Sequence, residues 1–187
     1  MYLSGFLMRN KIAFRVALGG VISSLAVFMM FCSGIFPMLD YTIPTFTGFL
    51  MVIMIVETSA SWAFLTYISV SFLSLMITPN LQVSLLFVMF MGYYPILKYY
   101  LDKLKKRPLA ILIKFAVFNA AMISYYLLFQ FVFLSEDMLE GLERFGKWAP
   151  LVLLGIANAF FILYDKLVGD LTVMYVNWFR HKILRRK

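Results

Sequence analysis

The chain has 187 residues, of which 63% are hydrophobic and 14% charged, with a formal net charge of +8 and a mean hydropathy of +0.89. A soluble domain is usually about half apolar and about a quarter charged, so a soluble chain of this composition would expose large apolar patches. The composition excludes a soluble domain and predicts an integral membrane protein. At roughly 20 residues per span, about six spans and short loops fill a single transmembrane domain over residues 1–187.

The first apolar segment follows a basic stretch from Arg9 to Arg15 and is predicted to span the membrane over residues 12–35. It is too long for the apolar region of a cleavable signal peptide, and no small-residue cleavage site follows it. A turn at Phe36–Asp40 leads into a second, shorter span at residues 44–57, which ends at Glu57.

The stretch from Thr58 to Leu97 has no charged residue and is too long for one crossing. The tripeptide Thr78-Pro79-Asn80 interrupts it, and Asn80 is predicted to cap the following helix. A third span at residues 62–77 and a fourth at residues 81–100 follow from this break.

A basic loop, Lys103–Pro108, separates the fourth span from a fifth at residues 109–134. The acidic segment 135–147 has apolar residues at helical spacing and is predicted to be a short helix lying at the membrane interface. A sixth span covers residues 148–178, and a basic tail ends the chain.

The basic residues indicate how the chain is oriented. With six spans and a cytoplasmic N-terminus, all of the 17 Lys and Arg except Arg144 and Lys147 lie at or near the cytoplasmic face, as the positive-inside rule requires. The sequence therefore predicts an all-α integral membrane bundle of six transmembrane helices in the plasma membrane, with both termini cytoplasmic. Membrane topology explains the positive charge, so we expect no nucleic-acid partner.

Residues that carry enzyme chemistry are sparse. His181 and Cys32 are the only histidine and cysteine, so neither a His/Cys metal cluster nor an internal disulfide is expected. There is no glycine-rich phosphate loop, and the serines within spans have no evident base partner. We expect no catalytic residue, no bound metal and no cofactor.

Polar residues within the spans are more informative, because they are costly in hydrocarbon unless they pair or line a cavity. As a set they predict a small-molecule pocket open to the outside. Interhelical hydrogen bonding for the amides and interfacial anchoring for the tyrosines is the alternative interpretation. The candidates are Asp40, Tyr41, Asn80, Gln82, Tyr125, Tyr126 and Gln130 in the outer half, with Asn119 and Asn158 deeper.

Two carboxylates fall toward the inner ends of their spans, Glu57 and Asp165. Snorkelling, or pairing with Lys114 or Lys166, is sufficient to explain them. A proton or ion relay is the alternative.

Small residues recur on the first span at Ala13, Ala17, Gly20 and Ser24. Such spacing flattens one helix face, so that another helix can approach closely. The sequence leaves open whether that helix belongs to this chain or to a partner.

Over nearly its whole length the chain resembles the substrate-binding subunit, or S component, of energy-coupling factor transporters, the micronutrient importers of bacteria and archaea. The resemblance rests on size, on six spans with both ends inside, and on the pair Ala13 and Ala17. It also rests on the loop Phe36–Pro44 before a short span, and on Pro79-Asn80 followed by the segment Phe90–Lys98.

The resemblance implies two functional regions, one for docking and one for solute binding. The first span would dock through Ala13 and Ala17, loosely extended by Gly20 and Ser24, on a membrane coupling subunit driven by cytoplasmic ATPases. A vitamin-like solute would bind in the outer half, capped by the loop around Asp40 and the turn Thr78–Gln82.

A structural membrane scaffold of the cell-wall elongation machinery is the competing expectation, since such proteins have a similar length and number of spans. A scaffold needs no outward pocket, so its intramembrane polar residues should pack without a cavity.

Overall fold

A computed structural model describes residues 2–35, 37–131 and 143–179, and every regular element in these ranges is a helix. Five of the helical segments are long and apolar enough to cross a membrane, which confirms an all-helical, membrane-embedded protein. They are Lys11–Cys32, Ala60–Ile77, Leu81–Leu101, Arg107–Gln130 and Gly146–Asn177.

The elements follow the predicted order. Short 3-10 helices cover Pro37–Leu39 and Glu143–Trp148, and π-helical turns cover Phe87–Met91 and Tyr175–Phe179. The α-helices are α1 Tyr2–Cys32, α2 Thr42–Glu57, α3 Ala60–Ile77, α4 Leu81–Leu86, α5 Tyr94–Leu101, α6 Arg107–Phe131 and α7 Ala149–Met174.

The break between the third and fourth segments lies where the sequence predicts it. The side-chain oxygen of Asn80 accepts hydrogen bonds from the backbone N–H groups of Gln82 at 3.1 Å and Val83 at 3.4 Å. These are two of the donors that a helix start leaves without partners, so the predicted N-cap is confirmed.

Some predicted features lie outside the described residues. They are Phe36 of the predicted first turn, residues 132–134 of the predicted fifth span, residues 135–142 of the predicted interfacial helix, and the basic tail from Arg180. The described end of the interfacial segment is a 3-10 helix in which Gly146 has a φ of +50°.

A π-helical turn joins α4 to α5. The N–H of Gly92 donates to the carbonyl of Phe87, five residues back, at 2.8 Å. Because Pro95 has no N–H, the carbonyl of Met91 lacks its usual partner four residues on, and the hydroxyl of Tyr164 in α7 donates to it at 3.2 Å. The irregular turn thereby ties the fourth segment to α7.

Contacts between connections show that the long segments alternate in direction, with α4 and α5 forming one segment. Asn80 Nδ2 donates to Asp40 Oδ2 at 3.0 Å, which brings the α1–α2 and α3–α4 connections together at one end of the bundle, here called the Asp40 end. Tyr175 OH lies 3.3 Å from Glu57 Oε1 and joins the last residues of α2 to the π-helical turn after α7 at the opposite end, the Glu57 end. Because the fourth segment starts beside Asn80 at the Asp40 end and runs to Leu101, the basic loop after α5 lies toward the Glu57 end.

The central helix is α2, which is only 16 residues long. It buries Gly48, Met51 and Met54 along its length and contacts α1, α3, α5 and α7. On one side it joins an aliphatic core with α1 and α3, and on the other an aromatic core built by Phe90, Tyr94, Phe118, Phe161 and Tyr164.

Candidate functional site

Four of the predicted pocket residues lie together at the Asp40 end: Asp40, Asn80, Gln82 and Tyr125. The Asn80 amide donates to Asp40 while its oxygen caps α4, and the Tyr125 hydroxyl donates to the carbonyl of Gln82 at 3.2 Å. The Tyr125 ring is buried beside that of Phe129, with centroids 4.8 Å apart. The two connections and α6 are therefore held to one another.

Two oxygens at this end have no hydrogen-bond partner among the described residues: Oδ1 of Asp40 and Oγ1 of Thr78. Both are buried, and a buried polar atom without a partner carries a desolvation penalty of about 1–3 kcal/mol. The Asp40 end can therefore accept a hydrogen bond from a small molecule at Asp40, and Thr78 can donate or accept one.

The deeper amides form a separate pair between α6 and α7. Asn119 Nδ2 donates to Asn158 Oδ1 at 3.0 Å, and Asn158 Nδ2 donates to Asn119 Oδ1 at 2.9 Å. Each amide nitrogen also donates at 2.8 Å to a carbonyl four residues back, at Phe115 and Leu154. In this arrangement the pair closes on itself and links two helices.

The other predicted pocket residues join neither group. Gln130 is exposed, Tyr126 is partly exposed, and Tyr41 is 72% exposed. Hydrogen bonds between described side chains do not connect them to Asp40 or to the asparagine pair. The structure thus brings six of the predicted pocket residues into two clusters. Of the other three, Tyr41 lies beside the first cluster as the chain neighbour of Asp40, with its side chain exposed.

A cluster of four charges links α5, α6 and α7 nearer the Glu57 end. Lys98 Nζ lies 2.6 Å from Asp165 Oδ1 and 3.5 Å from Asp102 Oδ2. Lys114 Nζ lies 2.7 Å from Asp102 Oδ1 and 3.1 Å from Asp165 Oδ1. The hydroxyl of Tyr94 also donates to Asp165, so two lysines and two aspartates form a neutral network.

The sequence pointed to only part of this network. It offered Lys114 and Lys166 as partners of Asp165, and the structure shows the pairing with Lys114. Lys98 and Asp102 were missed, although their spacing of four residues places them on one helix face. Because each charge has an opposite partner, the network holds three helices together rather than presenting an open ionic site.

The small residues of α1 point away from the bundle. Ala13, Ala17, Gly20 and Ser24 are all exposed, whereas Ile22, Ala26 and Met30 on the other side of the helix are buried. A Cβ added to Gly20 would meet nothing within 4 Å, but one added to Gly19 would lie 3.4 Å from Met54 Cε and Thr66 Oγ1. The small-residue face is therefore not used for packing within the described chain.

Groups of three or more His, Cys, Asp or Glu residues that could hold a metal ion do not occur within residues 2–35, 37–131 and 143–179. Comparisons of the chain with protein-family models, with curated proteins and with solved structures found no match.

Proposed function

We propose that this chain is the solute-binding subunit of an importer of the energy-coupling factor type. In this proposal it captures a vitamin-like small molecule from outside the cell at the Asp40 end. Through α1 it docks on a membrane coupling subunit that works with cytoplasmic ATPases. The chain itself performs no catalysis and sits in the plasma membrane.

The observation that carries the proposal is the exposed small-residue face of α1. Helices approach closely in membranes where small residues let the backbones meet. A face at Ala13, Ala17, Gly20 and Ser24 that the chain does not bury itself suits a helix of another protein.

The proposal includes six crossings with both termini cytoplasmic. At about 1.5 Å per residue, α2 is about 24 Å long, short of the roughly 30 Å hydrocarbon layer. A helix in contact with lipid must match the thickness of the hydrocarbon layer. Because α2 is surrounded by α1, α3, α5 and α7 instead, it can be shorter than that layer. Counting it as a span puts the basic loop 103–107 on the cytoplasmic side with the N-terminus.

The partnerless oxygens of Asp40 and Thr78 support solute binding at the Asp40 end. A solute that donates an N–H or O–H group to Asp40 would relieve the penalty at the carboxylate. The amides of Asn119 and Asn158 contact such a solute only if their mutual hydrogen bonds open.

A second candidate is a structural membrane scaffold, and the closed asparagine pair favours it. Asn119 and Asn158 satisfy each other and their own helices without a cavity, as expected of helices that only pack. The two candidates differ on whether the Asp40 end binds a small molecule.

Docking is tested by placing a large side chain on the small-residue face. The Ala17→Trp variant and a Leu25→Trp control are each co-expressed with the coupling subunit and ATPases of the same organism. Leu25 is 45% exposed and is separated by about 80° or more around the helix from each of the four small residues, so its replacement places the same large side chain outside the face.

We expect Ala17→Trp to lose co-purification with the coupling subunit and to lose uptake, while Leu25→Trp keeps both. Thermal unfolding of the isolated variants should match that of the wild type, because neither position is packed internally. Intact assembly of Ala17→Trp would refute docking through α1.

A further inference from the structure

A groove of about 780 Å³ lies on the side of the bundle between α3 and α5, away from the Asp40 end. Its walls include Phe64, Leu65, Tyr67, Tyr93, Leu97 and Tyr100. The volume falls within the roughly 300–1,000 Å³ of small-molecule sites, and the lining is predominantly apolar and aromatic, as in such sites.

The aromatic walls are held in place by the fold. The hydroxyl of Tyr67 donates to the carbonyl of Val88 in the π-helical turn at 2.7 Å. The Tyr67 ring lies 5.8 Å from that of Phe64 and 6.1 Å from that of Tyr93. These contacts fix the Tyr67 ring between the rings of Phe64 and Tyr93.

The groove opens onto a surface suited to lipid. Phe64 and Leu65 are about half exposed, and the exposed apolar surface of α3 continues through Ile68 and Phe72. Contiguous apolar surface of this kind faces hydrocarbon in a membrane protein. A molecule reaching the groove from the bilayer enters sideways, without crossing water.

Tyr100, at one end of the groove, is followed in the chain by an exposed basic loop with Lys103, Lys105, Lys106 and Arg107. Lys103 Nζ lies 3.6 Å from the centroid of the Tyr99 ring. Among the described residues, Lys105, Lys106 and Arg107 form no ion pair. The nearby carboxylate of Asp102 pairs with Lys98 and Lys114 and not with the loop. The positive charge beside the groove is thus not neutralised by these carboxylates.

We propose that this groove is a binding site for an anionic phospholipid. An acyl chain lies along the aromatic walls, and the headgroup phosphate contacts the basic loop. Ser61, exposed near the start of α3, supplies a hydroxyl at the same end. An apolar trough with uncompensated positive charge at one end matches an amphiphile with an anionic head, and basic pockets between membrane helices bind such headgroups.

The site rests only on the protein being membrane-embedded, not on the importer proposal. It is tested by native mass spectrometry of the full chain, released from nanodiscs that contain equal amounts of phosphatidylglycerol and phosphatidylcholine. We expect the wild type to retain phosphatidylglycerol in preference to phosphatidylcholine. Since each basic residue near an anionic surface is worth about fivefold in binding, Lys105→Gln/Lys106→Gln should lower the preference by about tenfold or more.

Matched variants separate this site from general attraction to anionic lipid. Lys11→Gln/Lys166→Gln removes the same charge from exposed positions outside the groove, and should keep the preference. Ser61→Phe fills the groove and should lose lipid retention, while Ser69→Phe, at an exposed serine on the same helix outside the lining, should keep it.

Equal losses in the two charge variants, or unchanged retention by Ser61→Phe, would overturn the proposal. So would a wild type without lipid preference. A dimer in the same spectra that Ser61→Phe abolishes would also overturn it, by assigning the groove to a second copy of the chain.

Discussion

Lys114 is a buried charged residue, with only 7% of its surface exposed, and it lies between two carboxylates. A buried charge is tolerated when opposite charges and hydrogen bonds replace water. Lys98 and Tyr94 complete this environment by bonding to Asp165, so the residues depend on one another.

Replacing Lys114 by methionine keeps the apolar stem but leaves Asp102 and Asp165 with one lysine between them. We expect Lys114→Met to lower the free energy of unfolding by about 3 kcal/mol. The double variant Lys114→Met/Asp165→Asn restores neutrality around Lys98 and Asp102, so its loss should be smaller than the sum of the two single losses, with a coupling of about 1–2 kcal/mol.

Thermal unfolding in detergent, measured for the wild type and the three variants, gives this coupling directly. Lys166→Met is the matched control, because Lys166 is exposed and forms no ion pair with the described residues. Additive losses within about 0.3 kcal/mol would show that the four charges do not act as one network.

The helix α2 and the π-helical turn lie so close together that only glycine, which has no Cβ, fits at position 48. A Cβ on Gly48 would collide with the carbonyl oxygen of Met91 and would lie 2.9 Å from the hydroxyl of Tyr164. The carbonyl is backbone and already bonded to Tyr164, so it cannot easily move away.

We expect Gly48→Ala to destabilise the protein by about 1–3 kcal/mol through overpacking. Gly155→Ala is the control, since a Cβ there meets nothing within 4 Å. Alanine is the better helix former, so this control should be neutral or stabilising by up to about 1 kcal/mol. Equal unfolding temperatures for the two variants would contradict the close contact.

Local sequence patterns predicted the elements but not all of their irregularities. The break at Pro79 and the cap at Asn80 follow from local chemistry, because a turn residue and a capping side chain act within three or four positions. The π-helical turn at Phe87–Met91 was missed, since it depends on Gly92, on the missing donor of Pro95 and on Tyr164, 73 residues beyond Met91.

The candidate site shows the same limit. Asp40 and Asn80 were both selected as polar residues near span ends, but only the fold shows that they bond to each other. Likewise, hydropathy identified Asn119 and Asn158 as intramembrane amides, but it did not show that their side chains hydrogen-bond to each other. Pairing between distant segments leaves little trace in a single sequence.

In the proposed topology of the whole molecule, the basic loop and the acidic segment lie on opposite sides of the membrane. With Cys32 replaced by serine, single cysteines are introduced as Lys105→Cys and Asp137→Cys. An impermeant thiol reagent added to intact cells should label position 137 and leave position 105 unlabelled until the membrane is opened.

The reverse labelling pattern would place the N-terminus outside. Labelling of both positions from outside would mean an even number of crossings between them. Either result removes the basis for a solute site that faces the exterior.

The most direct test of the solute-binding claim is native mass spectrometry of the protein purified from its own host. We expect the protein to carry one small molecule per polypeptide, with a mass too low for a phospholipid. The Asp40→Ala and Asn80→Ala variants should lose it while remaining folded, whereas the exposed-surface variant Ser69→Ala should retain it. A polypeptide that binds no small molecule, even after incubation with the host's metabolite extract, would contradict the account and favour the scaffold.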